Sequence, residues 1–414
     1  MTANCRLCGS RNIEVFVDFG NLAMTGFFPS ENQPVNQAPL AMGKCQECGL
    51  VQLRDKLPIS ELYGPGYGYE SHLNSSMQAH LINVAQKLEL ISGLHSGDVV
   101  VDIASNDGTL ISGYKTSGLE LIGIDPLIPF LTDNYPKQAL KIAKFFSKEV
   151  YFEATKKKAK LVTSFSVFYD LDDPIRFARD VCTILADDGL WVLEQSYLPT
   201  MVRSLGFDTI CHEHLLYLSL SDIEKICKET GLEIVDFKLN DVNGGSIQIL
   251  IQRRGGLRNP SPYVSPFLMN ESQSFLISNE GLSDFAKQIA IYKLKLLNLI
   301  NEFKEREFVV QGLGASTKGN VLLQVCGLEK SHISRIGEVN PRKFGRVTPG
   351  SGIPIVDENE IFFNSTERRL IVVLPWHFKD SILNKVKRRG LANSFVLFPL
   401  PFEPELVDVS ESAL

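Results

Sequence analysis

The chain has 414 residues, 44% hydrophobic and 22% charged, with a formal net charge of −6. That length exceeds one ordinary hydrophobic core, and the composition is that of a globular protein of two or three domains. The acidic balance argues against a nucleic-acid partner, and no apolar run approaches the ~20 residues that cross a bilayer, which argues against a membrane.

The N-terminus, Met1-Thr-Ala-Asn-Cys5, has neither a basic start nor an apolar stretch, so no signal peptide and a cytoplasmic location are expected. Cys5-Arg-Leu-Cys8 and Cys45-Gln-Glu-Cys48 are two CxxC knuckles, each followed by glycine (Gly9, Gly49). Four such thiolates can converge tetrahedrally on a closed structural zinc; two disulfides are the alternative. Cys182, Cys211, Cys227 and Cys326 are scattered, as reduced cytoplasmic thiols are. Residues 1–65 otherwise show Pro29, Pro34 and Pro39 and little periodicity, so a bound metal is expected to supply much of their stability.

Tyr63-Gly-Pro-Gly-Tyr67-Gly-Tyr69-Glu-Ser71 is too rich in Gly and Pro for a helix and implies a shaped loop; Gln78 to Ile91 reads as an amphipathic helix. From Asp98 the pattern turns β-α-β. Val99–Ile103 is a strand, Ser105-Asn106-Asp107-Gly108 a turn, Thr109–Tyr114 a helix start, and Leu121–Ile124 a strand ending in Asp125-Pro126. Leu161–Ser164 and Leu190–Leu193 are further strands, with a helix from Pro174 to Leu185, so a parallel sheet is expected. A turn after the first strand and an acid closing the second suit a ribose-bearing ligand. Ala104 stands where a dinucleotide fingerprint has its first glycine, which favours S-adenosylmethionine over NAD.

Phe207-Asp-Thr-Ile-Cys211-His212-Glu213-His214-Leu-Leu-Tyr217 puts imidazoles beside a carboxylate, either a base with its orienting partner or a cap at a helix start. Leu216 occupies the place of a zinc protease's second histidine. Asn243-Gly244-Gly245-Ser246 precedes the strand Ile247–Ile251, as a hairpin turn or as bare backbone against a ligand. Residues 253–270 read as a connection. In the long helix that follows, Leu282, Phe285, Ile289, Tyr292, Leu296, Leu299 and Phe303 form a packing stripe or a partner face. Gly312-Leu-Gly314-Ala-Ser316-Thr317-Lys318-Gly319 then restarts the strand-turn-helix theme and suits a diphosphate through amides, helix dipole and cation. Its spacing is not that of a Walker A loop. Ile333–Val339, Leu370–Leu374 and Ser394–Leu397 are later strands of a second α/β domain, and Trp376-His377 ends one of them near that ligand site.

In this order the motifs resemble the S-adenosylmethionine-dependent sugar C-methyltransferases of deoxysugar biosynthesis, in particular the C-3 methyltransferases of dTDP-4-keto sugars. The resemblance implies an α/β protein with a zinc module (1–65), a class I methyltransferase Rossmann-like core (66–255), a connection with a long helix (256–305) and a C-terminal Rossmann-like domain binding nucleotide sugar (306–414). It implies His214 as the base that removes the C3 proton, with Glu213 and Tyr69 beside the sugar. Asp102, Ser105, Asn106, Gly108, Asp125, Pro126 and Phe145 would hold the cofactor. Tyr67, Ser71, Cys211, Tyr169, Gly244, Gly245, Ser316 and Lys318 would hold the substrate, and Cys5, Cys8, Cys45 and Cys48 a structural zinc. The sequence departs from that pattern at Cys211, where the tetronitrose-type enzyme has tyrosine, and near Tyr169, where the family has a second histidine. A monomer or weak homodimer is expected. O- or N-methylation of a nucleotide sugar, or a zinc-stabilised binding protein with an inactive pocket, are the other readings.

Overall fold

The computed structural model describes residues 4–56, 67–363, 367–391 and 393–410. The N-terminal segment is a sheet and not the irregular stretch expected. β1 (Ile13–Ala23) and β2 (Gln37–Cys45) pair antiparallel, and β3 (Val51–Leu53) adds beside β2. Two register shifts in β1, between Val15 and Val17 and between Asp18 and Asn21, break the period of two that would betray the strand.

The loop through Tyr63 falls outside the described residues up to position 66; Tyr67 to Glu70 follow as irregular backbone. α1 (Ser75–Ser92) begins on Asn74, whose side chain accepts from the Ser76 and Met77 amides. There follow β4 (Val99–Ile103), β5 (Glu120–Ile124), β6 (Leu140–Ile142), α2 (Lys148–Ala154), β7 (Ala159–Phe165), α3 (Pro174–Ile184), β8 (Leu185–Ser196), α4 (Leu198–Arg203), β9 (Leu216–Tyr217), α5 (Leu220–Thr230), β10 (Leu232–Asn240) and β11 (Ser246–Arg253). Seven of these strands form one sheet in the order β10-β11-β8-β7-β4-β5-β6, with β11 alone antiparallel. The helix expected over Thr109–Tyr114 is a single 3₁₀ turn at Ile111–Gly113. α1 lies against that turn so closely that a Cβ on Gly113 would stand 2.7 Å from the Ala85 Cβ.

The chain continues through α6 (Val264–Ser272), α7 (Asn279–Glu305), β12 (Val309–Leu313), α8 (Thr317–Val325), β13 (Ile336–Glu338), β14 (Ile355–Asp357), α9 (Glu358–Ile361), β15 (Arg369–Val373), α10 (Lys379–Lys387), β16 (Ser394–Phe398) and β17 (Glu405–Asp408). α6 interrupts the expected connection. Its Pro266 stands in the first turn, where no intrahelical hydrogen bond is lost. Six strands form the second doubly wound sheet, in the order β14-β13-β12-β15-β16-β17.

α7 buries Leu282, Phe285, Ile289, Tyr292, Leu296, Ile300 and Phe303, so the apolar stripe is a packing face, with Ile300 deeper than Leu299. Each such side chain contributes roughly 1.5–3 kcal/mol by burial. α7 packs on both β1 and β12 and so ties the first domain to the last. β9 leaves the central domain to pair with β3, Tyr217 opposite Val51 and Leu216 opposite Gln52. The segment that follows His214 is thus the fourth strand of the cysteine-bearing sheet.

Candidate active site

The four cysteine sulfurs lie within 4.8 Å of one another, with Cys5 Sγ 3.4 Å from Cys48 Sγ and Cys8 Sγ 3.6 Å from Cys45 Sγ. These separations exceed the ~2.05 Å of a disulfide and match the ~3.8 Å between thiolates that share one tetrahedral zinc at ~2.3 Å. Gly9 and Gly49 turn in the left-handed region, φ 76° and 85°, as each knuckle folds back. Four sulfurs leave no open position on the metal, so a zinc here holds structure and activates nothing.

Arg6, inside the first knuckle, is buried. It donates to the Leu53 and Asp55 carbonyls at 2.8 and 3.2 Å and pairs with Asp172 at 3.2 Å. His212 joins the same sheet, its Nε2 3.1 Å from the Ala38 carbonyl, and burial lowers its pKa.

At the switch point of the central sheet, where β4 winds one way and β7 the other, a cavity of about 510 Å³ opens over the strands' carboxyl ends. Asp102, Ser105, Asn106, Asp125, Pro126 and Phe145 line it. Asp125 accepts from Asn106 N at 2.9 Å and Leu127 N at 2.7 Å, which fixes its carboxylate at the cavity wall with lone pairs left for ribose hydroxyls. Burial raises its pKa and holds that of Asp102 up at about 7, the latter opposed by a 2.6 Å bond from Thr163. Ala104 takes φ 58°, the conformation usually left to glycine.

Gly108 does not line this cavity. A Cβ there would stand 2.5 Å from the Tyr135 ring, so its place is a packing requirement. Tyr135 is the residue that the motifs did not reveal: its hydroxyl reaches Ser105 Oγ at 2.7 Å and the Asn106 carbonyl at 2.9 Å, bracing the turn.

A second cavity, about 790 Å³, lies between the central and C-terminal domains. Tyr67, Tyr69, Ser166 and Asp170 line both cavities, so the two meet there. Tyr169, Glu213, His214, Ser316 and Lys318 line the second. His214 donates from Nδ1 to the Thr209 carbonyl at 2.9 Å, which leaves the Nε2 lone pair as the basic position. Its ring packs on Tyr169, centroids 4.2 Å apart. Burial, and then the Lys318 ammonium, hold it down at about 3, so it is neutral at neutrality. Burial alone pushes Glu213 up to about 8, so it is a carboxylic acid at neutrality, and its Oε1 has no hydrogen-bond partner among the described residues. Tyr69 is 44% exposed, facing the two open cavities; desolvation by the surrounding walls raises its phenol to about 12, and it keeps its proton at neutrality.

Four substrate-site expectations are corrected. Cys211 is fully buried and absent from the cavity wall, and burial raises its thiol, because the turn that presents His214 points this side chain into the core. Ser71 lines the cofactor cavity, its amide bonded to Asn106 Oδ1 at 3.1 Å. Gly244 and Gly245 line neither cavity: a Cβ on them would stand 2.5 Å from Trp376 and 2.2 Å from Thr200. Their neighbour Asn243 is in the wall and accepts from Lys318 Nζ at 2.8 Å. Lys343, in the wall and donating to the Ala315 carbonyl at 2.8 Å, was also hidden in the sequence; the run Pro341-Arg342-Lys343 after β13 was its one signal.

Family models match the chain in three consecutive pieces: a zinc binding domain over residues 5–63, a methyltransferase domain over 73–236 and a C-methyltransferase C-terminal domain over 241–401. The C-methyltransferase NovU of Streptomyces niveus is 27% identical over 415 residues, covering 99% of this chain and 98% of its own. Among solved structures, the mitomycin 7-O-methyltransferase MmcR is 17% identical, with 43% of this chain and 54% of that one covered at a TM-score of 0.34. The magnesium protoporphyrin IX methyltransferase ChlM of Synechocystis PCC 6803, with bound SAH, is 15% identical over 44% of this chain and 88% of its own, also at 0.34. No helix among the described residues is long and apolar enough to cross a membrane. With a methyltransferase domain matched over the wall that carries Asp125, and a cysteine cluster fit for zinc, the chain is an S-adenosylmethionine-dependent methyltransferase with a zinc-binding N-terminal domain.

Proposed function

We propose that this methyltransferase acts on carbon: C3 of a nucleotide-linked 4-keto-deoxysugar, through an enolate. The observation that carries the reading is a neutral imidazole whose Nδ1 is committed to a carbonyl, in the wall of a cavity that joins the cofactor cavity. S-adenosylmethionine, held by Asp125, Asn106, Asp102 and the apolar Pro126 and Phe145, supplies an electrophilic methyl group when bound.

A ketone at C4 acidifies the C3 proton. His214 Nε2 removes that proton, and Tyr169 behind the ring keeps the imidazole in place. The negative charge passes to the C4 oxygen, where protonated Glu213 donates a hydrogen bond. A buried acid kept neutral is suited to that task. Tyr69, in the wall of both cavities, lies where the two ligands meet and keeps water from the enolate. Lys318 and Ser316, opening α8, take the diphosphate, and an anion on Lys318 relieves the field that weakens His214 as a base.

Mass spectrometry of a nucleotide-sugar panel incubated with protein and S-adenosylmethionine in D₂O tests this. One added methyl on C3, with deuterium washed into that carbon when S-adenosylmethionine is omitted, is expected. A methyl on oxygen or nitrogen, with no exchange at C3, sinks the carbanion reading and favours the O- or N-methyltransferase.

Glu213 gives a separate prediction. Glu213→Ala removes the donor and is expected to lower kcat roughly 10²–10³-fold. Glu213→Gln keeps a donor and should lose far less. Because the pKa in the free protein is raised, wild-type kcat/KM should fall as pH rises through about 8, and the Gln variant should lose that limb. A pH–rate profile of the two proteins checks it.

A further inference from the structure

We propose that His377 binds the anionic, phosphoester end of the substrate, completing with Lys318 and Ser316 a phosphate subsite at the switch point of the second sheet. The inference rests on the nucleotide-sugar reading and adds a residue to it. β13 lies on one side of β12 and β15 on the other, so the second sheet reverses its winding between β12 and β15, and ligands of doubly wound sheets settle in the crevice at such a point. The loop after β12 carries Gly314 to Lys318, and the turn after β15 carries Pro375 to Phe378, so the crevice has these two segments as its walls. Both line the cavity that holds His214.

Not every amide of the glycine loop is available. Glu338, closing β13, accepts from Ala315 N at 2.9 Å and also from the Val339 and Asn340 amides. Three of its acceptor sites are taken by backbone, and Lys343 Nζ lies 3.6 Å from it, so Ala315 N is not free for a phosphate. Ser316 Oγ accepts from Gly319 N at 3.0 Å, so its own O–H remains free to donate. What this wall offers an anion is that hydroxyl, the first amides of α8 and the Lys318 ammonium, with the Lys343 ammonium in the same cavity.

The opposite wall offers an imidazole. His377 is held between Trp376 and Phe378, ring centroids 5.7 and 4.3 Å away. Its Nδ1 is sealed from solvent with no hydrogen-bond partner among the described residues. A sealed nitrogen without an acceptor is better left as a bare lone pair than as an N–H, so the ring proton belongs on Nε2. His377 is thereby a donor, the reverse of His214, whose Nδ1–H is already spent. Lys318 is the second cause, after burial, that lowers the pKa of both imidazoles, so its ammonium lies within electrostatic reach of each. A phosphate seated on Lys318 meets the His377 donor.

Calorimetry with inorganic pyrophosphate and, separately, S-adenosylmethionine tests the assignment on the full-length protein. His377→Phe keeps the ring stack with Trp376 and Phe378 but has no donor; His377→Gln restores one. Loss of a hydrogen bond to a charged acceptor predicts that the Phe variant binds pyrophosphate roughly 10–100-fold more weakly, with S-adenosylmethionine affinity unchanged and Gln recovering most of the loss. With the nucleotide-sugar substrate, the Phe variant should raise KM and leave kcat nearly intact. Wild-type pyrophosphate affinity in His377→Phe overturns the role of His377 and leaves the proposed function standing. A wild-type protein that binds neither pyrophosphate nor any nucleoside diphosphate overturns both.

Discussion

His214→Ala is expected to lower turnover roughly 10²–10⁴-fold, the usual contribution of a positioned general base, while S-adenosylmethionine affinity stays within about twofold. The asymmetry follows from the walls: His214 lines the interdomain cavity and is absent from the one that Asp125 lines. Alanine also strands the Thr209 carbonyl, which now accepts from Nδ1, and an unpaired buried acceptor costs about 1–3 kcal/mol. His214→Asn separates these effects, because its amide can still donate to Thr209 but offers no lone pair in place of Nε2. Both variants should lose deuterium wash-in at the substrate carbon. An Asn variant that exchanges the proton at the wild-type rate would remove His214 from the mechanism.

The pH dependence has a definite sign. Free His214 is held down at about 3 and is deprotonated throughout the working range, so kcat/KM should show no rise between pH 5 and 8 from this group. An anion that neutralises Lys318 raises the imidazole's pKa only in the complex. Burial, the larger cause, stays in place, so a rise belonging to His214 is confined to kcat and lies on the acid side of that range.

Much of this site was legible in the sequence, and the failures share a cause. Cys5, Cys8, Cys45 and Cys48 could be read as one cluster because CxxC spacing is set by the metal's own geometry. The wall around Asp125 could be read because a buried parallel strand and its turn are contiguous in sequence. Glycine misled. It marks a close approach without saying what approaches: Tyr135 crowds Gly108, Trp376 crowds Gly244 and Thr200 crowds Gly245, each a side chain and none a ligand. Cys211 sits three residues before His214, yet the turn there buries it. Long-range partners left no local trace either, since two residues of β9 carry no period and nothing near Arg6 announces Asp172.

The other large effect is expected at the metal. Cys45 is fully buried at the end of β2, and Cys45→Ser should abolish stoichiometric zinc and remove most of the turnover. Small zinc domains draw an apparent 10–16 kcal/mol from the metal, comparable to or larger than the ~5–15 kcal/mol that holds a whole domain folded. The loss should reach the base through three contacts. β9 pairs with β3, fixing the chain just after His214; His212 rests on the Ala38 carbonyl of β2; and Arg6 bridges the knuckle to Asp172, beside the turn that bears Tyr169. Of the three, only the Arg6–Asp172 bridge reaches the cofactor cavity, at its edge, whereas Asp102, Asn106 and Asp125 are held by β4, β5 and the turns after them. Metal analysis, calorimetry with S-adenosylmethionine and a turnover assay on one preparation should therefore separate: zinc gone, cofactor binding largely kept, methyl transfer lost. Equal loss of cofactor binding would mean that the metal holds up the whole fold, whereas full turnover without zinc would mean that β1, β2 and β3 hold the base unaided.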